Sequence, residues 1–328
     1  MTSTEDTSRT AATGRSTENA AHHAHGGERF PPPRQATAWA AGCPVTPTGH
    51  GPPVRQRRLA SELRKLREAA GLTAEVAAGN LGRPRSKLTK IETARQIPTV
   101  ADVEAILAAY GGRNSALGLA LVELARNVRK RGWWVAFGDV LDGGFAELED
   151  AATTIRIWQP ETVPGLLQAP AYTRELITAE IDDPTEIERR VQARATRRAR
   201  LERSDAPILD VMLTEEVLRR MVGGRPVMRQ QVTALLRDLE RPNVSIRIVP
   251  LEAGAFPDQG RGGLTMFQVF EAGLDLSVAY FEAMNGGWYV EDVASIRECR
   301  RRFDQIARVA LSTEETAKFL ARIRKELE

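Results

Sequence analysis

The sequence places no histidine where a folded domain could use one. All four histidines, His22, His23, His25 and His50, come early in the chain, and none occurs after them. A Ser-His-Asp or Cys-His catalytic arrangement is therefore excluded from residue 54 onward, as is a metal site built on imidazole ligands. We interpret the early HHAH cluster as part of a flexible tail and expect neither a metal nor a cofactor.

Cysteine is also scarce, since the chain has only Cys43 and Cys299, far apart. This argues against a disulfide framework and suits a reducing cytoplasm. No apolar run reaches the roughly 18 residues of a transmembrane helix. The N-terminal residues lack the apolar core of a signal peptide. We therefore expect a cytoplasmic protein with no membrane partner.

The amino-acid composition indicates a folded protein that is preceded by a disordered N-terminal segment. Of the 328 residues, 42% are hydrophobic and 27% are charged, close to globular averages. Residues 1–53 are instead rich in Ser, Thr, Ala, Gly and Pro, and their charges cancel. Such a segment buries too little apolar surface to offset its ordering entropy, so we expect a disordered tail. Two domains follow, at 54–131 and 132–328.

Residues 54–131 have the periodicity of five helices. Leu59, Leu63 and Leu66 lie on one stripe of the first helix. Gly82 supplies a tight turn between the second and third helices, and the third is predicted over Arg85–Glu92. A glycine-centred turn between two short helices is typical of the helix-turn-helix motif, whose second helix enters the DNA major groove.

Positive charge is concentrated in this segment. Residues 54–110 hold eleven Lys and Arg against six Asp and Glu, although the whole chain has a net charge of only +3. Basic side chains near phosphates supply most of the non-specific affinity for DNA. Five side chains of the third helix can reach phosphates or base edges, namely Arg85, Ser86, Lys87, Thr89 and Lys90. The alternative to DNA binding is that these side chains form a solvated basic face on an interaction helix.

The residues around the third helix resemble those of a known family of DNA-binding domains. The stretch LGRPRSKLTKIETARQIPT resembles the DNA-binding domain of the XRE, or lambda-repressor-like, family. The positions that match its pattern are Gly82, Ser86, Leu88, Thr89, Ile91, Glu92, Arg95 and Pro98. The resemblance implies that double-stranded DNA is a partner of this protein.

The C-terminal part alternates between helices and strands. Apolar alternation predicts strands near residues 208–213, 244–249, 264–270 and 276–281, with a helix between the first two and two helices at the end. This order favours a mainly antiparallel sheet flanked by helices, so we predict an α+β protein. The helix expected at 187–203 carries many arginines, which we interpret as a solvated basic face.

This half has a resemblance of its own. The stretches WWVAFGDVL, IRIWQPETVPGLLQAPAY and NVSIRIVPLEAGAFP are similar to the C-terminal domain of actinobacterial antitoxin-like, or WhiJ-like, XRE regulators. The resemblance implies that this domain senses a ligand or binds a small partner protein. Four residues of these stretches are candidates to line a pocket: Trp134, Glu161, Gln168 and Tyr172. Core packing is the alternative role for them.

The favoured hypothesis is a sequence-specific transcriptional regulator that binds DNA as a homodimer, because one short helix contacts few base pairs. The alternative is an antitoxin-like protein-binding module whose DNA binding serves autoregulation. An enzyme is disfavoured because no nucleophile motif and no glycine-rich phosphate loop between a strand and a helix was found.

Overall fold

The computed structural model describes residues 46–48, 53–129, 132–283 and 286–328. Most of the predicted tail, residues 1–53, therefore lies outside the described residues. Its residues 46–48 form a short strand, β1 (Thr46–Thr48), which pairs antiparallel with a strand of the C-terminal sheet. That sheet thus includes one strand from a segment that precedes the first helix.

The helical domain has the five predicted helices. They are α1 (Val54–Ala69), α2 (Ala74–Asn80), α3 (Arg85–Glu92), α4 (Val100–Ala109) and α5 (Ala116–Asn127). Thr73, Thr99 and Ser115 each cap a helix by accepting a backbone N–H on the side-chain oxygen. The inward stripe of each helix meets in one apolar core, as the sequence periodicity predicts.

The C-terminal part is a mixed sheet with helices on both faces. Its elements are α6 (Gly143–Ala151), β2 (Thr154–Gln159), α7 (Pro170–Thr178), α8 (Pro184–Arg198), β3 (Ile208–Thr214), α9 (Glu215–Arg219), α10 (Gly224–Leu239), β4 (Val244–Val249), β5 (Leu264–Gln268), β6 (Phe270–Glu271), β7 (Leu274–Asp275), β8 (Val278–Ala283), β9 (Gly286–Val290), α11 (Val293–Ala307) and α12 (Thr313–Glu326). Strands β6 and β7 pair with each other apart from the main sheet.

The main sheet has the strand order β1-β9-β8-β5-β2-β3-β4. The pairs from β1 to β2 are antiparallel, whereas β2–β3 and β3–β4 are parallel. The α+β class and the mainly antiparallel sheet are thus confirmed. The parallel part arises because α7 and α8 connect β2 to β3, and α9 and α10 connect β3 to β4.

Alternate residues of the strands face two apolar layers. On one face, Trp158, Met212 and Met266 pack with Phe303 and Ile306 of α11. On the other, Ile157, Val211 and other strand residues join a core that continues into the helical domain. None of the helices in the described part of the chain is long and apolar enough to cross a bilayer.

Candidate functional site

Helix α3 stands on the protein surface because of a short turn before it. Gly82 adopts a left-handed φ of 60°, which a glycine reaches without steric cost. Pro84 then precedes the first turn of α3. Leu88 and Ile91 are buried against the other helices, so the opposite side of α3 faces outward.

A buried ion pair fixes the end of α3 to α1. The Arg67 guanidinium donates to both carboxylate oxygens of Glu92, over 2.8–3.0 Å, and the two side chains are 10% and 5% exposed. Arg67 also donates to the carbonyl oxygen of Leu72, at the turn before α2. Gln56 of α1 donates to the carbonyl oxygen of Ala94, directly after α3. The helix is therefore held rigidly at its C-terminal end.

The outward side of α3 carries four of the five predicted DNA-binding residues. Arg85, Ser86, Thr89 and Lys90 are all exposed. Arg85 contacts Glu75 of α2 at 3.2 Å, in a pair whose side chains are 66% and 74% exposed. Such a pair contributes little in water, so Arg85 is available to another partner.

Lys87, the fifth predicted residue, is placed differently. It is half-buried, and its ammonium donates to Asp102 Oδ1 at 2.6 Å. Asp102 also forms a capping box with Thr99 at the start of α4. Burial opposes ionisation of Asp102, but the hydrogen bonds from Lys87 and Thr99 outweigh it and lower the pKa of Asp102. Lys87 therefore joins α3 to α4.

Two of the four predicted pocket residues lie in the packed interior. Gln168 donates to the carbonyl oxygen of Val163 at 2.7 Å and accepts from Thr173 at 3.1 Å. Tyr172 is fully buried, and its hydroxyl accepts the N–H of Val163 at 3.3 Å. Together they shape the loop that connects β2 to α7.

The other two candidates lie elsewhere. Trp134 is half-buried and meets Trp133 edge to face, with ring centroids 6.2 Å apart. Glu161 is exposed after the end of β2. The structure thus brings Gln168 and Tyr172 together but places Trp134 and Glu161 apart from them.

A cavity of about 230 Å³ lies between the sheet and helices α6 and α8. Its floor is formed by side chains of β2, β5 and β8, including Gln159, Tyr280 and Glu282. Phe145 and Glu149 of α6 line one wall, and Arg194 and Arg197 of α8 line another. None of the four predicted pocket residues lines this cavity, although Gln168 accepts a 3.3 Å hydrogen bond from Arg194.

The arginines of α8 and the turn after it form the expected solvated face only in part: Arg190 and Arg203 are 37% and 52% exposed, but for three others the interpretation is wrong. Arg197 makes a two-bond pair with Glu149 at 2.6 and 2.7 Å, Arg198 pairs with Asp238 at 2.7 Å, and Arg200 is 6% exposed. The carboxylates come from α6 and α10. The sequence of α8 alone could not indicate these pairs, because the carboxylates are distant in the chain.

Two arginines at the start of α1 contact the C-terminal domain. Arg55 donates to Glu147 of α6 and to Glu271 of β6, both at 2.6 Å. Arg57 donates to Glu291 at 2.6 Å and lies over the ring of Tyr289, 5.2 Å from its centroid. Tyr289 in turn donates to Asp142, the N-cap of α6. We call these contacts the α1 latch.

Two family models match separate segments of the chain. Residues 58–114, which span α1 from its second turn through α4, match a helix-turn-helix domain. No curated protein and no solved structure matches the chain. The helix-turn-helix match, together with the exposed α3, indicates a DNA-binding regulator. Residues 143–322, more than half of the 328, match the domain of unknown function DUF5753, so the chain belongs to that family.

Proposed function

We propose that the protein is a sequence-specific transcriptional regulator of the XRE type, acting in the cytoplasm, in which α3 reads the DNA major groove. The observation that carries this is the exposed polar side of α3, on a helix fixed from behind by the buried Arg67–Glu92 pair. A reading helix must present side chains to base edges while its own position stays fixed.

The side chains that would meet DNA are Arg85, Ser86, Thr89 and Lys90. Arg85 suits guanine, whose O6 and N7 accept two hydrogen bonds from a guanidinium. Ser86 and Thr89 can donate to or accept from several bases, and Lys90 has the charge for a phosphate. Lys87 stabilises the position of this surface through its hydrogen bond to Asp102.

We further propose that two copies bind a two-fold operator. An eight-residue helix contacts too few base pairs to select one site in a genome. Two such helices one DNA turn apart, at about 34 Å, would read two half-sites. The expected result is two chains per operator in sedimentation analysis of the complex.

The C-terminal domain, in this proposal, responds to a ligand or to a small partner protein, as in antitoxin-like regulators. Support comes from the α1 latch, since Arg55 and Arg57 belong to the same domain as α3 while their partners belong to the C-terminal domain. A movement of α6 would therefore displace α1, which also carries Arg67.

The test is a titration of the DNA upstream of its own gene with purified protein and three variants. Arg85→Ala should lower affinity for that DNA by about 1–3 kcal/mol and relax the preference for one base pair. Lys90→Ala should weaken binding to all sequences alike and reduce the salt slope by about 1. Lys318→Ala is the matched control, because this exposed lysine of α12 pairs with Glu314 on its own helix.

Lys318→Ala should leave both affinity and salt slope unchanged. The proposal is wrong if the wild-type protein prefers its own upstream DNA no more than random DNA. It is equally wrong if Arg85→Ala binds with the affinity of the wild type, as the control Lys318→Ala is expected to do.

A further inference from the structure

Arg194 of α8 stands on the wall of the α6–α8 cavity. Within the described ranges no carboxylate lies close enough to form an ion pair with it, and its one hydrogen bond is the 3.3 Å contact to Gln168. The nearby Glu149 is already held by two bonds from Arg197. Burial, and then the neighbouring Arg197, lower the pKa of Arg194 to about 10, so it remains a cation at neutral pH.

The backbone leaves room for this guanidinium. A Cβ atom at Gly165 would lie 2.5 Å from Arg194 Nη1 and 3.0 Å from its Cδ. Any larger residue at position 165 would therefore displace the side chain. Because a desolvated cation without a partner is costly, a site that keeps one is typical of binding sites for anionic groups.

A carboxylate faces the same cavity from the sheet. Glu282 of β8 makes no ion pair in the part of the chain that the structure describes, and its closest polar contact is Gln159 Nε2 at 3.4 Å. The ring of Tyr280 packs against the ring of Phe145, and the centroids of these two rings are 4.9 Å apart. Burial first, and then Glu282, raise the pKa of Tyr280 to about 12, so its hydroxyl stays a donor.

The charges of the cavity select the class of ligand. Three carboxylates line it, from Asp142, Glu149 and Glu282, against two guanidiniums, from Arg194 and Arg197. A simple anion would enter a negative site, and a simple cation would leave Arg194 unpaired. A zwitterion satisfies both Arg194 and Glu282 without adding net charge.

We propose that the α6–α8 cavity binds a free amino acid, with its carboxylate on Arg194, its ammonium on Glu282 and an apolar side chain against Phe145 and Tyr280. The volume of 230 Å³ suits this class, since it lies below the roughly 300–1,000 Å³ of pockets for larger ligands. Gln168, one of the residues singled out from the sequence, becomes a positioning residue for Arg194.

The same ligand would act as the effector of the regulator, a step that rests on the proposed function. Helix α6 presents Phe145 and Glu149 to the cavity, whereas its Glu147 binds Arg55 of the α1 latch. Tyr280 lies 4.9 Å from the ring of Tyr289, which contacts Arg57. A bound ligand would therefore contact neighbours of both latch arginines, Arg55 and Arg57.

Binding is tested by calorimetry of the full chain, without DNA, against each of the twenty standard amino acids. At least one apolar or aromatic amino acid should bind, whereas its carboxamide and its N-acetyl derivative should each bind about tenfold or more weakly. Arg194→Gln should lose the discrimination between acid and amide, and Glu282→Gln the discrimination between free and acetylated amine.

Two further variants separate the site from a loss of folding. Gly165→Ala retains Arg194 but displaces it, and should weaken binding as Arg194→Gln does. Arg190→Gln, one turn earlier on α8 and paired with Glu186 at 2.8 Å, is the control and should bind as the wild type does. Failure of all twenty amino acids to bind, or equal binding by Arg194→Gln, overturns the proposal.

The effector step has its own readout, the affinity for upstream DNA with and without the bound amino acid. A change of about fivefold or more supports it, in line with common allosteric coupling. Selective DNA binding without amino-acid binding would overturn only the cavity assignment. Amino-acid binding without selective DNA binding would overturn only the regulator.

Discussion

Arg67 joins three parts of the helical domain through one guanidinium. It reaches Glu92 at the end of α3, the carbonyl oxygen of Leu72 before α2, and it belongs to α1. With the two side chains only 10% and 5% exposed, neither charge has water to replace its partner. Removing one partner of such a pair costs far more than the intact pair contributes.

Arg67→Met is therefore expected to lower the free energy of unfolding by about 3–5 kcal/mol, because Glu92 is left buried and unpaired. Urea denaturation followed by circular dichroism measures this loss. Arg64→Met is the matched control, since Arg64 pairs with Glu68 on the same helix and both side chains are more than half exposed. The control should cost less than about 1 kcal/mol, and equal losses would refute the assignment.

At the scale of elements, the start of α4 connects local capping to the position of α3. Thr99 accepts the backbone N–H of Asp102, and the Asp102 carboxylate accepts the N–H of Thr99 in return. The same carboxylate holds Lys87 of α3. A helix cap thus also positions the neighbouring helix.

Thr99→Ala should lower the free energy of unfolding by about 1 kcal/mol, the usual cost of losing a side-chain cap. Thr99→Ser keeps the hydroxyl and should restore most of that stability. Thermal unfolding of the three proteins under one buffer condition provides the measurement. If the serine variant is as unstable as the alanine variant, the hydroxyl is not the stabilising group.

Some elements could be predicted from the sequence because their signals are local. The limits of α3 follow from Gly82, Pro84 and the spacing of Leu88 and Ile91, and the structure has the same limits. Strand β4 follows from the alternation of Val244, Ile246 and Ile248, whose side chains are buried while those between them are half-buried. In each case the signal lies within the element itself.

Other elements could not be predicted because their cause is distant in the chain. The sequence TIRIWQ of β2 was not identified as a strand, although β2 lies between β3 and β5 in the middle of the sheet. Its parallel pairing depends on two intervening helices. The cavity was missed for the same reason, since Glu149, Arg194 and Glu282 converge from three separate elements.

At the scale of the whole molecule, the helical domain and the sheet domain share a continuous core and an ionic contact. Val54, Leu148 and Tyr289 are buried in the same apolar cluster, beside the α1 latch. Arg55 is the centre of the latch, because it neutralises Glu147 and Glu271 at once. The two domains are therefore expected to unfold together.

Arg55→Gln leaves those two carboxylates close together without a cation, so the contact should loosen. Hydrogen exchange measured by mass spectrometry should become faster in both α1 and α6, while α11 and α12 keep their protection. Arg126→Gln is the control, because Arg126 pairs with Glu123 on the surface of α5. Unchanged exchange in Arg55→Gln would mean that the shared apolar core alone holds the domains together.

The arginines of the latch also limit how genes of this kind can recombine. Arg55 and Arg57 come before residue 58, where the match to the helix-turn-helix domain begins. An exchange that replaced only the matched segment would keep both arginines and their carboxylate partners. An exchange made at the start of the helical domain would remove them, and the ionic contact between α1 and the C-terminal domain would be lost. The usable crossover point therefore lies after Arg57, at the start of the second turn of α1.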